Sequence, residues 1–292
     1  MIYTVTFNPA IDRYLDINTL EISKTNYYKN SNDVFGGKAI NVAKIISQFT
    51  DCTLVTKQDE ANSEFINSEV SNLKSTLVLA QNVRINYKLN NNGLITEINQ
   101  EVIKDVESSI KIIGYLRENI ANDDIVVFAG TLCEEEINLI KEFRDSFNNL
   151  KIVIDSSSIT LEDLKYIKPF LFKPNEEEIE LLIGREKISK AVDILLSFGL
   201  EHIVISKGSE GSSYYSKDKK FCVSIAPGKV INTVGAGDSF VGGFLVGIAN
   251  SMTIEETLKF ASSCGCASAY SDGIAEKSLI LKIKENISVS EF

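Results

Sequence analysis

The sequence predicts an α/β fold with a mostly parallel central sheet covered by helices on both faces. Short apolar runs alternate with longer amphipathic stretches along most of the 292 residues. The short runs are continuously apolar, which is typical of parallel strands that are buried on both sides. Residues 83–89 break this pattern, because apolar and polar residues alternate there with a period of two. That alternation predicts a half-exposed strand of a second, smaller sheet, with its polar residues, Arg84 among them, on the exposed face.

Each predicted element rests on one of these patterns. Buried strands are expected over residues 2–7, 53–56, 76–79, 125–128, 152–154, 170–172 and 203–205. Helices are expected over residues 39–48, 134–147, 176–183, 191–198 and 236–250. Ligands of such sheets bind beyond the carboxyl ends of the strands. Polar residues or glycines follow several predicted strands there, namely Asn8, Asp12, Gly130, Asp155 and Lys173.

The small sheet is predicted from a hairpin. Asn90–Gly93 is a strong turn sequence, and residues 94–98 can return as the partner strand of residues 83–89. Residues 12–17 and 30–35 are candidates for further strands. The sequence pattern by itself supports only the hairpin.

Composition excludes several classes of function. A net charge of −10 disfavours nucleic acid as a partner, because phosphate backbones bind basic surfaces. His202 is the only histidine, which argues against histidine-dependent catalytic triads. No apolar run approaches the roughly 18 residues that a membrane helix requires, and strand-like residues begin at Ile2 instead of a signal peptide. We therefore expect a cytoplasmic protein that does not bind membranes.

Residues 232–243 carry the most chemical information. Gly235 and Gly237 flank Ala236, Asp238 follows at once, and an apolar helical run begins there. Backbone amides of a tight glycine loop at a helix N-terminus form an anion site, and a carboxylate beside it suits a base for phosphoryl transfer. The alternative is a glycine turn in which Asp238 only caps the helix. No P-loop motif occurs, and Phe240 stands where a dinucleotide fingerprint needs its third glycine.

These residues closely resemble the C-terminal motif of the ribokinase-like, PfkB-type carbohydrate kinases. Further segments resemble the phosphosugar kinases of that family, most of all those acting on fructose 1-phosphate and tagatose 6-phosphate. They occur in the family's order, at residues 4–12, 36–43, 84–86 and 173–178. The resemblance implies one ribokinase-like kinase domain over residues 1–292, with a β lid formed by segments near 12–35 and 83–99.

The resemblance also implies roles for individual residues. Asp238 is the expected catalytic base, and the backbone amides of Gly235, Ala236 and Gly237 are expected to stabilise the transferring phosphate. Residues expected at the nucleotide are Asn175, Ser206, Gly208, Gly211 and Gly237. Glu178 is expected to bind Mg²⁺ through water, because magnesium takes few protein ligands. The spacing of Asn175 and Glu178 alone is equally explained by a helix capping box.

On the substrate side, Asp12, Gly36, Gly37, Asn41 and Asn86 are expected to contact the sugar. Arg84 is expected to bind its phosphate, since a guanidinium suits a phosphate dianion. Lys38 is expected as a second cation. For a lone arginine the alternative is a solvated charge on the lid.

The implied function is ATP-dependent phosphorylation of a ketohexose phosphate, with fructose 1-phosphate converted to fructose 1,6-bisphosphate as the first expectation. Tagatose-6-phosphate kinase and 6-phosphofructokinase of the same family are alternatives, and a non-catalytic phosphosugar-binding protein is an alternative of another class. ATP and Mg²⁺ are the expected cofactors, and a homodimer through the lid is expected.

The sequence departs from the family pattern in three places. Ala39 replaces a glycine, Tyr27 replaces an arginine, and residues 133–135 replace Pro-Pro-Gly with Cys-Glu-Glu.

Overall fold

The computed structural model describes residues 1–91, 93–184 and 188–292. Within them, the central sheet has ten strands in the order β14-β13-β12-β11-β10-β9-β8-β1-β4-β5. These are β1 (Ile2–Val5), β4 (Cys52–Gln58), β5 (Ser75–Leu79), β8 (Ile125–Ala129), β9 (Lys151–Asp155), β10 (Leu171–Phe172), β11 (His202–Ser206), β12 (Ser212–Tyr215), β13 (Lys220–Val223) and β14 (Val289–Glu291). The strands from β5 to β11 are mutually parallel, which confirms the predicted fold class. β12, β13 and β14 add an antiparallel edge that the sequence pattern did not predict.

Two apolar cores lie on the two faces of this sheet. In β8, Val127 and Ala129 join one core, whereas Val126 and Phe128 join the other. The first core is covered by α1 (Lys38–Ile46), α2 (Ser63–Glu69), α8 (Ala236–Ala249), α9 (Ile254–Ala269) and α10 (Lys277–Lys284). The second is covered by α3 (Val106–Asn119), α4 (Glu134–Arg144), α5 (Leu161–Ile167), α6 (Glu176–Ile183) and α7 (Ile188–Ser197). In the described part of the chain, every helix is too short or too polar to cross a lipid bilayer.

Glycines bring α8 into close contact with its neighbours. A Cβ atom on Gly242 would lie 2.9 Å from the Ile45 side chain of α1, and one on Gly243 would lie 2.7 Å from Cys264 Sγ of α9. Only glycine allows backbones to approach this closely. The N-terminus of α8 is therefore held next to α1, which carries Lys38 and Asn41, two of the residues expected to bind the substrate.

The second sheet has four strands in the order β3-β2-β6-β7. They are β2 (Ala10–Ile17), β3 (Tyr28–Gly36), β6 (Arg84–Asn91) and β7 (Leu94–Ile98). We call this sheet the lid. β6 pairs with β7 as the predicted hairpin, and β2 pairs with both β3 and β6. Of the predicted turn, Asn92 lies outside the described residues.

The burial of β6 differs from the sequence prediction. We expected the polar residues of this strand on its exposed face, but Asn86 and Lys88 are buried, whereas Tyr87 is exposed. The reason is that the polar side chains are paired: Asn86 Nδ2 donates to Asp12 Oδ1 at 2.8 Å, and Lys88 Nζ lies 2.7 Å from Glu97 Oε2. Hydrogen bonds and ion pairs offset the free-energy cost of burying these polar groups. Period-two alternation shows that a strand has two different faces, but it does not show which face is covered by the rest of the protein.

Candidate active site

The loop before α8 has the geometry that its glycines predict. Gly235 is the N-cap of α8 and has a φ of 79°, a left-handed conformation that favours glycine. A Cβ atom there would lie 2.9 Å from Ile274 Cδ1 and 3.3 Å from Asn41 Nδ2. The amide of Ala236 donates to the carbonyl of Thr233 at 3.2 Å within this turn. The loop thus places the first turn of α8 at the carboxyl edge of the sheet, and the amides of Gly237 and Asp238 in that turn have no acceptor within the helix.

Asp238 lies in that first turn and is 8% exposed. Its Oδ2 accepts a hydrogen bond of 2.8 Å from Asn41 Nδ2. Burial and the negative charge of Asp155 raise the pKa of Asp238 to about 6. Asn41 and the two neighbouring cations, Lys38 and Lys173, act in the opposite direction. A buried carboxylate with a pKa near neutrality is suited to accept a proton.

A second buried carboxylate belongs to Asp155, the last residue of β9. Lys38 Nζ donates to Asp155 Oδ1 at 2.9 Å. Burial alone would raise the pKa of Asp155, but the charges of Lys173 and Lys38 outweigh it and lower that pKa. Burial alone would lower the pKa of Lys38, but its carboxylate neighbours, Asp155 first, raise it. The pair is therefore ionised, and the role of Lys38 as a second cation for the sugar phosphate stays a prediction.

Lys173 brings a second cation to the same place. It follows β10, is 8% exposed, and its Nζ would lie 3.2 Å from a Cβ atom on Gly237. The absence of a side chain at Gly237 therefore lets the ammonium approach the first turn of α8. Asp155, Lys173 and Asp238 are buried and Lys38 is partly exposed. Together they form one group of opposite charges, which we call the catalytic charge group.

The lid contributes the opposite side of the site. Asp12 on β2 accepts from Asn86 on β6, and a Cβ atom on Gly36 would lie 2.9 Å from Asp12 Oδ2. Gly36 therefore leaves room for the carboxylate.

The start of α1 follows directly. Gly37 has a φ of 141° and caps α1, which carries Lys38 and Asn41 one turn apart on the same face. The structure thus brings the expected sugar residues to one end of the cleft, against Asp238.

Arg84 is half-buried at the edge of the lid. Its Nη1 donates to the carbonyl of Gln100 and its Nη2 to the carbonyl of Asn8, both at 3.2 Å. Its Nε is buried and has no hydrogen-bond partner among the described residues. Burial lowers the pKa of Arg84, whereas Asp12 raises it. A guanidinium remains charged in proteins and carries five N–H donors, so this side chain is a fixed cation, and the hydrogen bonds to the two carbonyls leave three of its N–H groups without an acceptor in the described part of the chain.

The other end of the cleft is largely apolar. A cavity of about 490 Å³ adjoins the start of α8, and both Lys173 and Gly237 line it. Four predicted nucleotide residues line it too, namely Asn175, Ser206, Gly208 and Gly211. Gly211 has a φ of 86°, and a side chain there would collide with the carbonyl of Val223. Such a cavity, apolar with a few polar groups, is typical of cofactor sites.

Asn175 and Glu178 form a capping box at the start of α6. Asn175 Oδ1 accepts from the amide of Glu178 at 2.7 Å, and Glu178 Oε2 accepts from the amide of Asn175 at 2.8 Å. This is the structural alternative that their spacing allowed. It uses one carboxylate oxygen of Glu178 for the cap, and metal binding by Glu178 stays a prediction.

Two sets of residues in the cleft received no role from the sequence. Asp155 was noted only because it follows a buried strand. Lys173 also follows one and is the first residue of the family-like segment 173–178, but neither residue was given a role. The sequence contained no comparable signal for the apolar wall of the cavity. It is formed by residues from two loops and two helices, including Ile225, Val230, Phe240, Cys266 and Tyr270. These residues are far apart in sequence, so only the fold reveals that they line one cavity.

Comparison with known families decides the identity of the chain. The family model of the pfkB carbohydrate kinases matches residues 5–279. The chain belongs to the pfkB family of carbohydrate kinases. This result confirms the family that the sequence motifs resembled, and with it a kinase that uses ATP as the phosphoryl donor.

Individual pfkB kinases match the chain over nearly its full length. A 1-phosphofructokinase of Bacillus subtilis is 28% identical and is covered to 99%, as is this chain. A D-tagatose-1-phosphate kinase of Bacillus licheniformis is 26% identical, again with 99% of both chains covered. The crystal structure of a putative phosphofructokinase from Staphylococcus aureus has a TM-score of 0.83 and 28% identity, covering 100% of this chain and 99% of that one.

Proposed function

We propose that the protein transfers the γ-phosphoryl group of ATP to a hydroxyl of a ketohexose phosphate, with fructose 1-phosphate as the substrate and fructose 1,6-bisphosphate as the product. One observation carries this proposal: the buried carboxylate of Asp238, with a pKa of about 6, lies in the first turn of α8 between the lid and the apolar cavity. The names of the matched relatives support a sugar 1-phosphate as the acceptor.

Asp238 would act as the general base. The acceptor hydroxyl would donate its proton to the free carboxylate oxygen, while Asn41 holds the other one by its 2.8 Å hydrogen bond. As the proton leaves, the sugar oxygen forms its bond to the γ-phosphorus and the bond to the β-phosphate oxygen breaks. Because the pKa of Asp238 is raised to about 6, the carboxylate is mostly ionised at neutral pH and still accepts a proton readily.

Lys173 and the N-terminus of α8 would stabilise the phosphoryl group during its transfer. Negative charge on a transferring phosphoryl group is favoured near cations and helix N-termini. Gly237 permits the approach of Lys173 Nζ to this turn, since any Cβ atom there would lie 3.2 Å from it. We assign the nucleotide phosphates to this region and the nucleoside to the apolar cavity, where Asn175, Ser206, Gly208 and Gly211 lie.

Mg²⁺ fits the residues that lie where the sugar end and the apolar end of the cleft meet. Asp155 Oδ2 is buried and lacks a hydrogen-bond partner among the described residues, and Glu178 keeps one carboxylate oxygen outside its capping box. Hard oxygen donors of this kind suit Mg²⁺, which keeps several waters. No group of three or more metal-binding side chains occurs in the described residues, in keeping with an ion held largely through water. When bound, Mg²⁺ would neutralise phosphate charge.

Arg84 would bind the phosphate that the sugar already carries. Its Nε has no partner among the described residues, and two backbone carbonyls fix the rest of the guanidinium. A phosphate oxygen would accept charge-assisted hydrogen bonds from the N–H groups of Nη1 and Nη2 that the two carbonyls leave free. Asp12 and Asn86, held together on the lid, would accept from and donate to the sugar hydroxyls.

An ADP-release assay tests the proposal. Fructose 1-phosphate, D-tagatose 1-phosphate, tagatose 6-phosphate, fructose 6-phosphate and unphosphorylated fructose should be compared at equal concentration. We expect the highest kcat/KM with fructose 1-phosphate, and D-tagatose 1-phosphate is the second candidate because a matched relative carries its name. Preference for a 6-phosphate would overturn the substrate assignment. Binding of fructose 1-phosphate without any ADP release would instead indicate a non-catalytic phosphosugar-binding protein.

We also infer a homodimer that forms through the lid. All residues of β7 are exposed, although Leu94, Ile95 and Ile98 are apolar and are 76%, 48% and 54% exposed. An exposed apolar edge strand is a liability unless a second chain covers it. Sedimentation equilibrium should give a dimer, and Ile98→Glu should shift it towards monomer. A wild-type monomer at micromolar concentration would contradict this inference.

A further inference from the structure

A second pair of buried charges lies near the substrate end of the cleft. Lys57 on β4 is 3% exposed and Glu136 in the first turn of α4 is 1% exposed. Lys57 Nζ lies 3.8 Å from Glu136 Oε1 and donates to the carbonyl of Asp105 at 3.0 Å. Burying two charges costs desolvation energy that their attraction often fails to recover. A buried ion pair is therefore weak evidence of stabilisation. The other contacts of Lys57 and Glu136 indicate what the pair does.

The carboxylate of Glu136 is fully engaged by neighbouring donors. Oε2 accepts from Asn8 Nδ2 at 2.8 Å and from the amide of Cys133 at 3.0 Å, while Oε1 accepts from the hydroxyl of Ser109 at 3.0 Å. Asn8 Nδ2 also donates to the carbonyl of Thr131 at 3.0 Å. The side chain of Asn8 is thus fixed by the loop that departs from the family's Pro-Pro-Gly pattern.

Asn8 in turn holds Arg84. Its backbone carbonyl accepts the 3.2 Å hydrogen bond from Arg84 Nη2. A cavity of about 10 Å³, the size of one water molecule, is lined by Asn8, Lys57, Arg84 and Asp105. The contacts therefore run without a break from Glu136 through Asn8 to the guanidinium of Arg84.

We propose that Glu136, with Lys57 as its counter-ion, is a positioning residue that fixes Arg84 for the sugar phosphate through Asn8. This inference rests on the proposed role of Arg84. Glu136 does not touch the substrate in this account. It determines where the carbonyl of Asn8 lies, and that carbonyl fixes the guanidinium through Nη2 at the place where the phosphate would bind.

Paired substitutions test the proposal without leaving a lone buried charge. Lys57→Met with Glu136→Leu replaces both charges by apolar side chains of similar size, a change that buried ion pairs often tolerate. Lys57→Met with Glu136→Gln also removes both charges but keeps a side-chain oxygen that can accept from Asn8 Nδ2. The two double variants differ in whether the donors around position 136, namely Asn8 Nδ2, the amide of Cys133 and the hydroxyl of Ser109, keep a side-chain acceptor.

Lys141→Met is a matched control on the same helix. Lys141 Nζ forms an ion pair of 2.5 Å with Asp163, on the side of α4 away from Asn8. Neither residue contacts Asn8 or Arg84 in the hydrogen bonds described above. This variant should alter thermal stability and leave the KM values for both substrates within twofold of wild type.

The expected result is a selective change in KM. The Met/Leu variant should raise the KM for fructose 1-phosphate about tenfold, the order expected when a charge-assisted hydrogen bond stops holding a binding residue. The KM for ATP should stay within twofold, and the Met/Gln variant should recover most of the loss. Added to Arg84→Ala, the Met/Leu substitutions should change the KM by less than a further twofold, because they act through Arg84.

The outcomes separate this inference from the proposed function. If Arg84→Ala raises the KM for the phosphosugar but the Met/Leu variant does not, the positioning role is wrong and the phosphate contact stands. An increase in both KM values, or effects that simply add to those of Arg84→Ala, would also overturn it. If Arg84→Ala itself leaves this KM unchanged, the phosphate contact fails and the inference fails with it.

Discussion

Two buried groups of charges lie beside the cleft, and they differ in how far their polar atoms are satisfied. In the catalytic charge group, Asp155 Oδ2 lacks a partner among the described residues, and the pKa of Asp238 is raised to about 6. In the group around Glu136, both carboxylate oxygens accept hydrogen bonds from buried or partly buried donors. Unsatisfied groups are poised to react or to bind, whereas satisfied groups fix positions. Substitutions of Asp238, Asp155 or Lys173 should therefore change kcat, and substitutions in the group around Glu136 should change KM.

The largest effect is expected at the base. Asp238→Asn removes proton acceptance but keeps the size of the side chain, so kcat should fall by about 10²–10⁴-fold. ATP affinity should stay near that of wild type, because the nucleotide cavity lies on other residues. Steady-state kinetics and ATP titration measure the two quantities. Turnover within threefold of wild type would remove Asp238 as the base.

A smaller effect of a different kind is expected on the lid. Arg84→Ala removes a charge-assisted contact to the sugar phosphate, so the KM for fructose 1-phosphate should rise about 10- to 100-fold. The kcat at saturation should change little, because Arg84 lies outside the catalytic charge group. Arg13→Ala is a control, since Arg13 pairs with Asp33 elsewhere on the lid. Equal KM values for Arg84→Ala and wild type would show that the phosphate binds elsewhere.

The smallest effect concerns stability. The pKa of Asp238 is about 6 in the folded protein and near 3.8 in the unfolded chain, so the folded state binds the proton more tightly. Stability therefore falls as the pH rises from about 4 to about 6, and the full penalty is present above that range. Asp238→Asn should relieve it and stabilise the protein by about 1–3 kcal/mol at pH 8, and by much less at pH 4.

Asp163 is a control for that measurement, because its pKa is shifted in the opposite direction to that of Asp238. Burial would raise the pKa of Asp163, but Lys141 and Thr160 lower it overall. Its ionised form therefore contributes stability at neutral pH, and that contribution is lost in acid. Asp163→Asn should lower the thermal midpoint at pH 8. A lower midpoint for Asp238→Asn at the same pH would contradict the raised pKa.

The sequence predicted the parts of the molecule that have a local pattern. Seven buried runs correspond to β1, β4, β5, β8, β9, β10 and β11, and the hairpin of the lid follows from its alternation. α9 was missed because its buried residues are mostly small, including Ser263, Cys264, Ala267 and Ser268, and form no large apolar stripe. The small side chains of α9 allow it to pack closely against the glycines of α8. The sequence of α9 alone does not show that α8 is its neighbour.

The site was predictable to the extent that its residues lie in contiguous motifs. Gly235, Gly237 and Asp238 are adjacent, and the fold brings Asn41 and Lys38 to them from one helix. The Lys57–Glu136 pair could not be predicted, because the two residues are distant in sequence and charged residues are assigned to surfaces by default. The polar face of β6 was assigned to solvent for the same reason.

The dependence of kcat on pH tests the central claim most directly. Because the second ionisation of a phosphate monoester also lies at about pH 6, kcat at saturating fructose 1-phosphate is the quantity to follow. It should fall tenfold per pH unit below an apparent pKa of about 6, because only ionised Asp238 accepts the proton. The kcat of Asp238→Asn should lack this inflection. A wild-type profile that stays flat down to pH 5, or an inflection that persists in Asp238→Asn, would contradict the account.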